Sequence, residues 1–293
     1  MPSVVWGVLL GVLLLLWCGC YQVGRKRYPV DAPITKVLNL RLERFAPPML
    51  LILEKVRWIE RFPALFYTIQ RAMQILYGTQ VAAKYSAMFM AELLNYAFLM
   101  LVFGCVLPLL TDGQVMGFGV GAVLAILLPV AMVKDLTKRV VRREQDLLIE
   151  LPEFLNQMIL LVNAGETVQK ALMQCVERKK AHGDHPLYKE LIQMVHEWHS
   201  GYSFQQSFEQ FSKRCAVQEV SIFTTTIMLN YRRGGDEFVV ALRDLSRVLW
   251  EKRKAVSRVR GEEASSKLVF PMVMVFFVLL VLVCTPMFLM MNG

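Results

Sequence analysis

All 33 lysine and arginine residues of this chain lie in two segments, 24–90 and 134–267, and the stretches 1–23, 91–133 and 268–293 hold none. Within the cation-free stretches, Val4 to Val23, Leu93 to Leu110, Val115 to Val133 and Leu268 to Met290 are apolar runs. Each is long enough, at ~1.5 Å of rise per residue, to cross a hydrocarbon core of ~30 Å. Four membrane-spanning helices follow. Short cytoplasmic loops near span ends collect lysine and arginine. Arg25, Lys26 and Arg27 therefore put the end of the first span inside, and Lys134, Lys138 and Arg139 do the same for the third. Both termini are expected outside, with Leu110-Thr111-Asp112-Gly113-Gln114 as an external hairpin tip.

Met1-Pro2-Ser3 carries no basic residue ahead of the first apolar run, and Arg25 to Arg27 follow it, a pattern that favours a retained N-out anchor over a cleaved signal peptide. The run Leu16-Trp17-Cys18-Gly19-Cys20 departs from a lipoprotein cleavage site, because Trp17 stands where leucine is required. The net charge of +9 is carried by residues 24–90 (+7) and 134–267 (+4), with Glu92 and Asp112 supplying −2. This basic excess is membrane-proximal, which suits anionic lipid headgroups at ~1 kcal/mol per near-surface cation and gives no reason to invoke nucleic acid. Cys18, Cys20, Cys105 and Cys284 fall in expected spans while Cys175 and Cys215 fall between them, so no disulfide framework or C-x-x-C site is formed.

The resulting organisation is an all-α integral membrane protein. It comprises a first span (1–23), a basic cytoplasmic helical region (24–90), a transmembrane hairpin (91–133), a cytosolic antiparallel bundle of about six helices (134–267) and a fourth span (268–293). In the basic region, Pro29 and Pro33 mark an extended piece and Val37, Leu38, Leu42 and Phe45 show helical spacing. Further helices are expected from Met49 and from Ala64, the latter running past Gly78 toward the second span.

In the bundle, Pro152 reads as first-turn proline of a helix through Val162. Gly165, Gly201 and the Gly234-Gly235 pair then end three successive helices. After each, an apolar residue, a small one and a second apolar one recur at fixed offsets: Val168, Ala171 and Leu172; Phe204, Ser207 and Phe208; Phe238, Ala241 and Leu242. Thr167, Ser203 and Asp236 are the expected caps, Ser203 with Gln206 has the spacing of a capping box, and the apolar pairs four apart turn each helix back onto its predecessor.

Enzymatic chemistry finds no foothold. A phosphate-cradling loop needs glycine beside lysine, and no Gly-Lys pair occurs; no Gly-x-Ser-x-Gly, His-Glu-x-x-His or Gly-x-Gly-x-x-Gly pattern occurs either. No cofactor is expected. The four histidines pair as His182 with His185 and His196 with His199; the second pair, on one helix face, is the weak metal candidate, and the first reads as a solvated corner around Gly183. A transporter should place ionisable groups inside its spans, whereas only Glu92 and Asn95 approach one, with Glu92 expected to reach headgroup water. Gly7-x-x-x-Gly11 and Gly117-x-x-x-Gly121 permit close helix approach. The cations Lys252, Arg253, Lys254, Arg258 and Arg260 read as a solvated helix face or as a docking surface for an acidic partner.

Leu151-Pro152-Glu153-Phe154-Leu155 running to Asn163-Ala164-Gly165, then Gly201-Tyr202-Ser203-Phe204, Gly234-Gly235 and the long helix through Lys267 to Pro271 resemble the type II secretion system F domain. The resemblance covers roughly 145–290. One domain copy, in the order span, basic region, two spans, bundle, span, is most similar to the tight-adherence (Tad/Flp) pilus platform proteins. The resemblance implies a multi-pass inner-membrane platform that couples a hexameric secretion ATPase to assembly of pilin or pseudopilin subunits. It further implies a paralogous platform protein or a second copy as neighbour, and no catalytic residue. A membrane scaffold or receptor unrelated to pili is the alternative.

Overall fold

The computed structural model describes residues 2–27, 46–55, 63–110, 115–180, 183–231 and 235–291. These are organised in ten α-helices and contain no strand. The residues divide into two compact units, Met1–Arg142 and Arg143–Gly293. Among the described residues, four helices are long and apolar enough to cross a membrane.

The first unit holds α1 (Pro2–Arg27), α2 (Ala46–Lys55), α3 (Pro63–Tyr77), α4 (Thr79–Leu110) and the start of α5 (Val115–Asn163). Helices α1, α2 and α4 pack on one another and α3 packs on α4. Leu53 of α2, Ile69 and Met73 of α3, Phe89 and Leu93 of α4 and Leu136 of α5 form one buried apolar cluster. The helix expected to pass Gly78 is interrupted there. Gly78 takes φ +93° and its N–H donates to the carbonyl of Gln74, 3.0 Å away, so α3 ends and α4 begins at a left-handed residue. The two small-residue pairs part company: a β-carbon on Gly104 would lie 2.8 Å from the Gly121 Cα, whereas Gly11 meets nothing within 4 Å. The backbones of α4 and α5 thus touch at Gly104 and Gly121. Glu92, expected at headgroup water, is only 7% exposed and lies with Asn95, 4% exposed, inside the packed face of α4. The hairpin tip at 111–114 and the extended and helical pieces expected at 28–45 lie outside the described residues.

The second unit is a bundle of six helices: the end of α5, α6 (Val168–Arg178), α7 (Pro186–His199), α8 (Phe204–Cys215), α9 (Gln218–Tyr231) and the start of α10 (Gly235–Met291). Its single core contains Leu147, Leu151, Phe154, Leu172, Phe208 and Phe223, each fully buried. Pro152 is not in a first turn, because α5 is continuous from Val115 to Asn163. An interior proline forfeits one backbone hydrogen bond at ~3 kcal/mol. Leu151, Phe154 and Leu155 beside it are each 0% exposed, and at ~1.5 to 3 kcal/mol per buried side chain their burial outweighs that loss.

The glycine corners are not successive. Between the turns at Gly165 and Gly201 lies the 179–185 connection, where His185 caps α7 and its Nδ1 accepts from the Leu187 N–H at 3.3 Å. Beyond Gly201, a corner at Ala216 (φ +55°) closes α8, its N–H donating to the Ser212 carbonyl at 3.0 Å. Gly201 has φ +102°, and a β-carbon added to it would meet nothing within 4 Å, so backbone strain alone opposes a larger residue there. Ser203 and Gln206 form the full capping box, and the Thr167 hydroxyl accepts from the Lys170 N–H at 3.3 Å. Asp236 lies within the first turn of α10, which begins at Gly235, so it stands two positions too late to be its cap. Gly234 and His182 lie outside the described residues.

Two substitutions test these corners in opposite directions. Gly201→Val should lower stability by about 1 to 2 kcal/mol, because valine resists positive φ. Ala216→Gly should raise it by about 0.5 kcal/mol through relief of the same strain. Thermal unfolding of the detergent-solubilised chain reads both, with shifts of roughly 2 to 6 °C down and 1 to 2 °C up. Gly261→Val is the reference, since Gly261 lies inside α10 with nothing within 4 Å.

Candidate functional site

The second unit joins its helices through a set of charged side chains that converge from distant parts of the sequence. Arg143 of α5 donates to the Glu190 carboxylate of α7 at 3.1 Å and to the Cys215 carbonyl at the end of α8, also 3.1 Å. Arg214 of α8 donates to Glu190 at 2.8 Å and to Glu197 of α7 at 2.7 Å. The side chains of Arg143 and Glu190 are only 12% and 14% exposed. Two guanidinium groups and two carboxylates therefore balance in a half-dry site, and Nη2 of Arg214 and Oε2 of Glu197 are buried without a hydrogen-bond partner among the described residues. Burial pushes the adjacent Cys215 thiol up to about 12 and the Cys175 thiol up to about 11, so both behave as inert apolar groups.

A second junction forms around Glu150 of α5. The Tyr188 hydroxyl donates to it at 2.7 Å, and Lys179 Nζ stands 3.5 Å away and 5.5 Å from the centre of the Tyr188 ring. Burial alone would raise the Glu150 carboxyl, but the Tyr188 hydrogen bond and the Lys179 charge outweigh it and hold the group below its ordinary value. A third junction ties α10 antiparallel to α5: Ser246 donates to Asn156 at 2.7 Å, and Arg260 donates to Asp146 at 2.7 Å and to Gln145 at 2.8 Å.

The five cations considered for docking are thus divided by their surroundings. Lys252 pairs with Glu219 of α9, and Arg260 belongs to the α5 junction. Arg253 lies 4.7 Å over the Trp250 ring. Lys254 and Arg258 remain largely exposed, in local pairs with Glu251 at 2.7 Å and Glu262 at 3.1 Å. His196 and His199 are exposed on α7, and no group of three metal-ligating side chains occurs among the described residues.

Residues 154–286 match the family model for Type II secretion system (T2SS), protein F. The chain carries a type II secretion F domain. A comparison with curated proteins and one with solved structures each find no match. The family comprises inner-membrane platform proteins of type II secretion and type IV pilus machines, which work with secretion ATPases and pilins. The F domain match begins at Phe154, in the core face of α5, and ends inside the apolar end of α10. It includes the corners at Gly165 and Gly201 and the residues Glu190, Glu197 and Arg214.

Sequence reasoning missed the ion network of the second unit, since Arg143, Glu190 and Arg214 stand 47 and 24 positions apart with no short-range pattern. It also missed the corner at Ala216, which uses no glycine.

Removal of one partner from a half-buried pair strands the other charges. Glu190→Ala should cost about 2 to 3 kcal/mol, and Glu177→Ala, at a pair whose side chains are 57% and 67% exposed, less than about 0.5 kcal/mol. Chemical or thermal unfolding of the two variants decides whether the network holds α5, α7 and α8 together; equal effects would show that it does not.

Proposed function

We propose that the chain is an inner-membrane platform protein of a type IV/Flp-like pilus or type II secretion machine, coupling a cytosolic secretion ATPase to pilin or pseudopilin assembly. The F domain across 154–286 carries this reading. It is supported by the four long apolar helices and by the confinement of all cations to 24–90 and 134–267, the distribution expected of two cytoplasmic segments. The protein itself has no enzymatic role in this scheme. The bundle transmits force as a stiff body, its helices joined by long-range ion pairs, and ATP is hydrolysed by the partner. Basic residues at the membrane edge engage anionic headgroups, and a paralogous platform protein or a second copy completes the assembly. The order span, basic region, two spans, bundle, span is what favours the tight-adherence branch.

Two measurements test it. On a background with Cys18 and Cys20 replaced by serine, Lys36→Cys and Asp184→Cys should react with a membrane-impermeant maleimide only after lysis; labelling of Asp184→Cys in intact cells overturns the orientation. The purified chain should hydrolyse no ATP, yet co-purify from its native cells with a secretion ATPase and alter its turnover. ATPase activity in the isolated chain that a single substitution abolishes would overturn the reading.

A further inference from the structure

Helices α6 and α7 leave between them a surface cleft of about 450 Å³. Met173, Val176, Ile192 and Val195 supply its apolar floor. Lys170, Lys180, His196 and His199 stand at its mouth, where the one acid is Glu177. The lining positions Lys170, Met173, Glu177 and Lys180 on the first side, and Ile192, Val195, His196 and His199 on the second, recur at three- and four-residue intervals. Each side therefore offers one continuous face, and the groove runs ~10 Å along α7 and a little further past the end of α6, at least two helical turns. A groove of that length between two helices fits the apolar stripe of a third.

The mouth selects the charge of that third helix. Glu177 is already engaged by Lys180 at 2.7 Å, and Lys170 pairs with Glu166 at 2.9 Å, outside the lining. Both lysines are more than half exposed, and such local pairs are worth only ~0.3 to 0.5 kcal/mol. An ammonium carries three donors, so one pair leaves room for a second carboxylate. A cationic helix would meet lysine at both ends of the groove; an acidic one gains partners at both.

We propose that this groove receives an acidic amphipathic helix of a partner protein, apolar stripe on the Met173, Val176, Ile192 and Val195 floor, carboxylates against Lys170 and Lys180. The inference deepens the platform reading, on which it rests for the identity of the partner, by giving the surface that the partner grips.

The test uses the full chain in detergent and a fluorescent synthetic peptide of roughly 12 residues, long enough for three turns. The peptide has leucine at i, i+3, i+4 and i+7, flanked by glutamate; a second peptide has lysine in place of glutamate. The acidic peptide should bind. Lys170→Glu combined with Lys180→Glu should weaken it at least about tenfold, and so should Val195→Asp. Arg243→Glu, exposed on α10 outside the groove, should leave it unchanged. The two lysines are exposed, so their replacement tests the groove even if Val195→Asp fails to fold. Equal binding of the lysine peptide, no binding of the acidic one up to ~1 mM, or displacement of it by decanoate at lower concentration overturns the proposal; the last result would assign the cleft to a small anionic amphiphile. Loss of peptide binding with ATPase capture intact removes the groove alone, and failure of the unsubstituted chain to capture the ATPase removes the platform reading alone.

Discussion

Helix continuity is the constraint on which the rest depends. Inside hydrocarbon a backbone must keep every hydrogen bond to itself, and two of the apolar helices carry that helical order on well beyond the length a membrane needs. Helix α5, 49 residues long, spans ~74 Å and α10, with 57, spans ~86 Å, each well beyond a hydrocarbon core of ~30 Å. The polar bundle is consequently built on the extensions of two apolar helices. Their antiparallel pairing through Ser246 with Asn156 and Arg260 with Asp146 forms the edge against which α6 to α9 fold back. The apolar end of α10 is exposed from Leu268 to Val283 on every face, as a lipid-facing span requires and a water-facing one forbids.

Short helices of 11 to 14 residues, such as α6 to α9, are marginal by themselves and take their stability from packing and from their ends. Each corner solves the end problem differently: a left-handed glycine at 165 and 201, a strained alanine at 216, an imidazole cap at 185, a hydroxyl capping box at 203. Caps of this kind contribute ~1 kcal/mol each. The aromatic chain from Tyr188 through Phe154 and Phe223 to Phe208, with ring centroids 6.2 to 6.4 Å apart, then locks the turns onto one core.

What was legible in the sequence follows from what is local. The cation-free stretches gave the apolar helices, and the Gly-apolar-small-apolar repeat gave the corners at Gly165 and Gly201 and the buried positions Leu172, Phe208 and Leu242. A proline inside α5 misled, because the rule for first-turn proline knows nothing of the burial that overrides it. Glu92 misled for the same reason: its position near a span end suggests headgroup water, while packing of the folded unit leaves it only 7% exposed. The break at Gly78 was available from glycine's tolerance of positive φ and was overridden by the apolar periodicity on either side. The Arg143–Glu190–Arg214 network had no sequence signal at all, since it depends on which faces meet after folding.

The ion pairs of the second unit sort into two physical kinds, and the division bears on where a partner can act. Arg143 with Glu190, Arg214 with Glu197 and Glu150 with Lys179 join different helices in half-dry sites, where loss of one member leaves a charge that water cannot fully reach. Lys170 with Glu166, Lys180 with Glu177 and Arg258 with Glu262 lie within one turn of their own segment and are mostly wet. The first kind resists exchange and fixes the bundle. The second can trade a local acid for a foreign one at a cost of a few tenths of a kcal/mol. The α6–α7 groove is bordered by pairs of the second kind and backed, through Glu190 and Glu197 on the same α7 helix, by the first. A helix docked there would therefore push on a surface whose rim yields and whose base does not, which is the condition for passing a partner's movement into α5 rather than dissipating it in local repacking.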